Sequence, residues 1–341
     1  MPPLASTEEE VSQMAEVDVS EIEQVTETAL AGHGASRSVA ASVARAVRVA
    51  EENGNRICGL YYVESYCQQL ASGRVDGTAR PELRVDHPGA VRVDGRLGFA
   101  QPAFDAGFET AVHAARSNGV CGYSIEHTHT CTAVGYFTER LAQAGLLAIG
   151  ATNASARVAP PGGNTPILGT NPLAMAVPDG SGGVAFQFDF STSAVALGHI
   201  TMAAAAGEDI PLGWAVDADG QPTTDPEAAL AGSLASAGGY KGYGLGLMVE
   251  VLAAGLTGGR RSVDVPPLKA PEGPPHDLGQ FYLVVDPSAF DSAGFWRVVD
   301  GLAASIADQP GARLPGQGRT RPERVDVPDR LWERITALAG A

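Results

Sequence analysis

The sequence has no apolar run approaching the roughly 20 residues that a membrane-spanning helix needs. It has no cluster of Lys or Arg either: 23 basic residues stand against 39 acidic ones, a formal net charge of −16. A nucleic-acid surface concentrates positive charge to neutralise phosphates, and an anionic membrane attracts the same clusters, so neither is an expected partner. The four cysteines, Cys58, Cys67, Cys121 and Cys131, include no CxxC pair and are expected as reduced thiols. The first residues, MPPLASTEEEVSQMAE, have neither a basic start nor an apolar stretch. That predicts no secretion signal, a solvated acidic tail over 1–16 and a cytoplasmic protein. Also missing are GxGxxG after a strand, a P-loop, GxSxG and HExxH, so a Rossmann nucleotide site and the common hydrolase signatures are unsupported. Alanine, glycine and arginine are abundant and lysine scarce, the composition of a GC-rich bacterial source.

What is present reads as alternating helices and strands. Ser20 is placed to cap a helix with Ile22, Val25 and Leu30 on one face, ended by His33-Gly34. A second helix is expected from Ser36 to Glu52 and a third from Leu60 to Leu70, an all-helical start. Alternation over Ala90 to Asp94 predicts a strand, and Phe104 to Ser117 an amphipathic helix stopped by Asn118-Gly119. Strands are expected over Val120–Ile125, Leu146–Thr152, Val184–Phe190 and Gln280–Val285. Helices are expected over Val134–Ala144, Ser193–Ala206, Lys241–Ala254, Phe295–Ala307 and Arg330–Leu338. The mostly apolar Lys241–Ala254 helix is expected to be buried, and the Pro/Gly-rich Val265–Pro275 stretch to be a surface excursion. The alternation marks an α/β arrangement.

Four blocks carry a family resemblance. TNASARVAPPGGNTPILGTNPLAMAVP (Thr152 to Pro178) is the first, and FDFSTSAVALGHI (Phe188 to Ile200) the second. IPLGWAVDADGQPTTDP (Ile210 to Pro226) and GGYKGYGLGLMVEVLAAGLTG (Gly238 to Gly258) complete the set, with weaker likeness over Val19 to Val75 and at LPGQG (Leu314 to Gly318). In this order they resemble the malate/L-lactate dehydrogenase-like oxidoreductases. The resemblance implies a non-Rossmann α/β (α+β) fold with a helical lobe from both chain ends, 17–80 and 290–341. The remainder, 81–289, is implied to be a central mixed-sheet, cofactor-binding lobe. It also implies a homodimer, NADH or NADPH as cofactor, and reduction of small 2-oxo or cyclic imino acids. The second block and LPGQG would supply the cofactor contacts: Phe188, Asp189, Phe190, Ser191, Thr192, His199, Gly316 and Gln317. Asp189 ends a strand and would hold a ribose hydroxyl, and the helix expected from Ser193 would offer N–H groups to a phosphate.

Several polar positions of the family pattern are replaced. Its D-S-H-G histidine is Cys58, and the arginine shortly beyond, which handles the substrate carboxylate, is Tyr62; Tyr66 matches a family tyrosine. The histidine of N-S-N-H-F-G is Thr130, while His127 and His129 occupy the two Asn positions. The Lys of A-R-G-K is His199 and its Arg is Leu197; the His of GHKG is Tyr240, with Lys241 kept. The candidate catalytic set is thus Cys58, Tyr62, Tyr66, His129, Thr130 and Lys241. Cys58 is a nucleophile, a weak acid or an inert thiol; the tyrosines are pocket phenols or packing. If its segment is extended, His129 points to the side opposite Thr130 and replaces the missing histidine poorly. An H-x-H pair without an evident third ligand gives no metal site. Lys241 is a pocket cation or a surface one. The expected activity is a divergent NAD(P)H-dependent reductase of a small carbonyl or imine. A non-redox enzyme of specialised metabolism (cyclase, lyase or isomerase), with its cofactor site vestigial or lost, is the alternative, and a silent scaffold subunit the third reading.

Overall fold

The computed structural model describes residues 14–316 and 321–340. The expected acidic tail falls outside them up to position 13, as does Gln317; Met14–Glu16 already belong to a strand. In chain order the elements begin with β1 (Met14–Asp18), α1 (Val19–Gly32), α2 (Arg37–Glu52) and α3 (Val63–Ala71). Next come β2 (Glu82–His87), β3 (Ala90–Asp94), α4 (Ala100–Asn118), β4 (Val120–Thr128), α5 (Gly135–Gln143) and β5 (Leu147–Thr152). Then follow β6 (Leu173–Pro178), β7 (Val184–Phe190), α6 (Leu197–Ala206), β8 (Ala215–Val216), β9 (Pro222–Thr223) and α7 (Pro226–Ala231). The chain ends with β10 (Ser233–Leu234), α8 (Tyr240–Glu250), β11 (Leu278–Val285), α9 (Ser292–Ala307), β12 (Arg324–Pro328) and α10 (Asp329–Ala339).

The centre is a seven-stranded mixed sheet in the order β2-β3-β4-β11-β5-β6-β7. Only β3 and β4 run parallel, and α4 makes the crossover between them. Gly119, at φ +79°, turns the end of α4 directly into β4, a left-handed cap that glycine adopts without a Cβ clash. Alternate residues of the central strands bury Val91, Val93, Tyr123, Ile125, Tyr282 and Val284. Phe104 of α4 and Phe137 of α5 close over them, their ring centroids 4.9 Å apart. Gly107 lets α4 approach the sheet: a Cβ there would lie 2.6 Å from Val93 and 2.8 Å from the Tyr123 hydroxyl.

A second core joins the two chain ends. β1 and β12 pair antiparallel, setting Val17 opposite Val325, and α10 docks Ile335 into a cluster with Ile22, Leu30, Val43 and Leu60. Asp18 and Ser36 cap α1 and α2 through their side chains. Ser20, the expected cap, instead gives its N–H to Asp18, because the cap lies two residues earlier and the helix starts at Val19. A third, small sheet (β10-β8-β9) covers the Val158–Leu168 loop with α6 and α7.

Two expectations need correction. The α8 helix is not enclosed: Leu245, Leu247 and Met248 are exposed, and Val251, in the π-helical turn that follows, is 63% exposed. One side of the helix meets the rest of the fold, with Gly242, Gly246 and Val249 buried, Tyr243 against the small-sheet core and Glu250 accepting from Asn171 and Ser262; the other side is left uncovered. The second correction is the helix expected from Ser193. It starts at Leu197, because the Ser193 hydroxyl donates to the Val195 carbonyl (2.8 Å) and Ser193 bridges to Ser236, holding the chain extended.

Candidate active site

The first wall of the site comes from the turns after α2. Glu51 is buried, and its Oε1 accepts the Leu60 N–H at 2.7 Å. Gly59 lies on this carboxylate; a Cβ would fall 2.1 Å from Oε1, so glycine is required for the close approach. Burial raises the Glu51 carboxyl, with the Leu60 N–H opposing it. The result is a pair of 3₁₀ turns, Arg56–Cys58 and Leu60–Tyr62, that present Cys58, Tyr61 and Tyr62. Burial pushes the Cys58 thiol up to about 12, with the Asp189 carboxylate adding to the effect. Burial likewise raises the Tyr62 and Tyr66 phenols, so all three groups stay protonated at neutral pH.

Behind this wall lies an aromatic stack. Tyr62 and Tyr66 rings are 5.7 Å apart, and Tyr66 meets Phe99 and His129 edge-on at 5.3 and 5.5 Å. His129 stacks on His276 at 3.9 Å. The Gln69 amide nitrogen is committed to two backbone carbonyls, so its oxygen accepts from His129 Nε2 (2.7 Å) and fixes that ring as the Nε2–H tautomer. Thr130 gives its backbone N–H to His276 Nδ1 (3.3 Å). His129 is therefore a core ring on Tyr66 and Phe99. His127 leaves the strand geometry with φ +52° and turns instead to Asp277 (2.7 Å), so the expected alternation fails there.

Both stacked rings are held neutral. Burial and the neighbouring charge lower His276 to about 3 and His129 well below its ordinary value. Their folded affinity for protons is weaker than in the unfolded chain, so the unfolded state binds more protons below about pH 6.5. Stability is complete above that value and falls as pH drops toward 3. We expect the melting temperature to fall between about pH 7 and about pH 5, and to fall less in His276→Phe, which keeps the ring and removes the titration. Equal slopes in calorimetric scans of the two proteins would contradict this.

The second wall is the segment expected as a surface excursion. Instead it is clamped onto α3 through its carbonyls. Gln69 Nε2 donates to Leu268 (2.8 Å) and Ala270 (2.7 Å), and Ser72 Oγ to Pro271 (2.7 Å). Arg74, 2% exposed, donates to the carbonyls of Pro267 (3.0 Å), Pro274 (3.1 Å) and Ala270. The clamp delivers Lys269, whose Nζ sits 3.2 Å from the Tyr61 ring centroid and 4.5 Å from that of Tyr62. Burial lowers this ammonium to about 8. Gln69, Arg74, Lys269 and His276 were not singled out from the sequence. One signal was available: the chain has only two lysines, Lys241 and Lys269.

The end of β7 forms the other side of the site. A cleft of about 350 Å³ runs between Asn53–Asn55, Ala133, Gly135 and Gln187–Asp189. Phe188 and Phe190 stack at 5.0 Å, and Asp189 Oδ2 accepts the Gly135 N–H at 2.8 Å. Gln187 Oε1 is buried without a hydrogen-bond partner among the described residues, an acceptor left over at the cleft. Gly316 packs on Gln187, whose N–H donates to Pro315. The Ser191 hydroxyl donates to the Ser193 carbonyl, and Thr192 is buried with its N–H and hydroxyl on Thr170 and its hydroxyl on Asn171, which makes it a tie between loops. The first turn of α6 comes over the first wall, with the Gly198 Cβ position 3.7 Å from Ile57. The structure thus gathers Cys58, Tyr62, Tyr66, His129 and Asp189 around one region. It leaves His199 exposed, 6.3 Å from the Trp214 ring, and Lys241 exposed at the start of α8, without an ion pair or hydrogen bond among the described residues.

The sequence pattern of the malate/L-lactate dehydrogenase family matches residues 17–336. The chain belongs to that family. It is 39% identical over 329 residues to a (2R)-3-sulfolactate dehydrogenase (NADP(+)) of Chromohalobacter salexigens, covering 95% of this chain and 98% of the relative. A Δ1-pyrroline-2-carboxylate reductase of Ancylobacter novellus is 36% identical over 331 residues, covering 94% and 97%. Among solved structures, the Δ1-piperideine-2-carboxylate reductase of Pseudomonas syringae superposes with a TM-score of 0.87 at 34% identity, covering 95% of this chain and 99% of that one. The mixed-sheet, non-Rossmann fold expected from the sequence is the fold of this family, and the chain is an enzyme of an oxidoreductase family. No helix among the described residues is long and apolar enough to cross a membrane.

Proposed function

We propose that the enzyme is an NAD(P)H-dependent reductase of a small carbonyl or imine compound, with its polar catalytic residues rewritten relative to the family pattern. The observation that carries this reading is the cleft at Gln187–Asp189, whose Asn55 and Asp189 lie close enough to Cys58 to act on its thiol, and which holds an acceptor, Gln187 Oε1, without a partner among the described residues. Relatives named as a dehydrogenase and as imine reductases support it. Asn53, Asn55, Gln187, Phe188 and Asp189 line the cleft and would hold a nicotinamide cofactor. When bound, that group supplies a hydride. The chain supplies the rest: Tyr62 Oη, kept protonated by burial, gives a proton to the reacting oxygen or nitrogen. Phe99, Tyr66 and the neutral His129–His276 stack exclude water behind it.

The apolar face of α8 supports a second copy of the chain as its cover, making a homodimer. Light scattering that gives twice the chain mass, reduced to the monomer by charges at Leu247 and Val251, is the expected result. Activity is tested by following NADH and NADPH oxidation with Δ1-pyrroline-2-carboxylate, Δ1-piperideine-2-carboxylate and the oxidised form of 3-sulfolactate. Turnover of an imine or keto acid, lost in Tyr62→Phe, is the expected outcome. A protein that binds these compounds without oxidising either cofactor would favour the non-redox reading.

A further inference from the structure

The family pattern has an arginine where this chain has Tyr62, and an arginine suits that place because a carboxylate needs a fixed cation. The chain has not left the place without charge. Lys269 brings an ammonium from the opposite wall to 4.5 Å from the Tyr62 ring centroid and 3.2 Å from that of Tyr61. We propose that Lys269 is the anchor for the carboxylate of a small 2-oxo or 2-imino acid, taking over from across the pocket the role of the replaced arginine.

Three independent features support this. The first is scaffolding. Gln69 binds the carbonyls of both neighbours of Lys269, and Arg74 binds one of the same carbonyls, Ala270, and two more along the segment, Pro267 and Pro274. A clamp of this density fixes the backbone on either side of a residue whose own head group it leaves alone. The second is the lack of a competing anion. Lys269 forms no salt bridge among the described residues, in a chain with 39 acidic side chains. Its ammonium rests on aromatic faces, which attract a cation without neutralising it. The third is composition: every other cation in the chain except Lys241 is an arginine. Burial has weakened the ammonium's hold on its proton, and a bound anion would restore it.

The assignment also explains the tyrosines. An ammonium on a flexible stem lacks the planar fork of a guanidinium. The Tyr61 and Tyr62 rings restrict where it can sit.

This inference rests on reading the site as a substrate pocket, and not on hydride transfer. It is tested with pyrrole-2-carboxylate, a flat carboxylate that cannot be reduced, titrated calorimetrically into the intact wild-type enzyme, Lys269→Met and Lys269→Arg. Binding should weaken about tenfold or more in Lys269→Met, a loss of about 1.4 kcal/mol, and stay within a few fold of wild type in Lys269→Arg. Unchanged melting temperatures exclude a folding defect. A second readout uses the scarcity of lysine: reductive ¹³C-methylation labels Lys269 and Lys241 with the terminal amine, and the Lys269 signal should titrate near 8 alone and higher with the probe. Equal binding by wild type and Lys269→Met, or no binding by wild type at tens of millimolar, would overturn the proposal. NADPH titration of the same proteins separates the two readings: lost cofactor binding with retained probe binding sinks the reductase and keeps the anchor.

Discussion

Arg74→Met should lower the unfolding temperature by about 5–10 °C, the largest loss we expect from a single residue outside the aromatic core. Arg74 is a buried guanidinium paired with backbone carbonyls instead of an acid. Removing it leaves the Pro274 carbonyl with no other partner seen among the described residues, at about 1–3 kcal/mol, and takes a charge-assisted bond from Pro267 and Ala270, which keep the Ala270 N–H and the Gln69 amide. Relief from burying the charge itself offsets part of this; desolvation already lowers the Arg74 pKa. The balance is a loss of roughly 3 kcal/mol. Arg74→Lys keeps the charge but cannot reach three carbonyls from a single nitrogen, and should fall between. The effect also has a direction in space. Freed from the clamp, Lys269 leaves the tyrosine faces, so pyrrole-2-carboxylate binding should weaken in Arg74→Met even at temperatures where the protein is folded. A variant as stable as wild type would mean that the segment is held by something other than these carbonyl bonds.

Ala133→Trp should leave the fold intact and weaken cofactor binding. Ala133 is half-buried on the rim of the cleft, beside Gly135 and opposite Asn53–Asn55. An indole there projects into existing space, so stability should change little. A ligand entering the filled cleft must displace it, at a cost of about 1–3 kcal/mol, which is about 10- to 100-fold in affinity. Fluorescence titration with NADPH measures the loss, and the new indole gives the signal. Because Lys269 lies on the far wall, pyrrole-2-carboxylate binding should persist. Unaltered NADPH affinity would show that the cofactor lies elsewhere.

Local signals were legible in the sequence and remote ones were not. The second helix, expected from Ser36 and found from Arg37 to Glu52, the Asn118-Gly119 stop and the bounds of Val184–Phe190 depend on neighbours a few residues away, and each is found close to its expected place. The pairing of β1 with β12 joins the two ends of the chain and leaves no periodic mark on either segment. The same limit divides the site. Cys58, Tyr62 and Tyr66 were reached through a motif, because they follow one another along the chain. Lys269 and His276 sit in Pro/Gly-rich sequence that reads as loop; backbone carbonyls bound by Gln69 and Arg74 fix the segment at Lys269, and the Thr130 N–H and the His129 ring hold His276, contacts for which no side-chain pattern exists. Gln69 and Arg74 look like ordinary polar helix-end residues until their partners, nearly two hundred positions away, are known. Burial of α8 was misjudged for a related reason: apolar composition says that a surface will be covered, and not by which chain.

The central claim is that this chain keeps a working nicotinamide site beside a rewritten catalytic wall. The most direct test is titration of the purified wild-type protein with NADH and NADPH, by calorimetry and by quenching of tryptophan fluorescence. Micromolar binding of at least one of them, weakened about 10- to 100-fold in Ala133→Trp, is the predicted result. Absence of binding at millimolar concentrations of both would contradict the account and leave the Cys58–Tyr62–Lys269 pocket to non-redox chemistry.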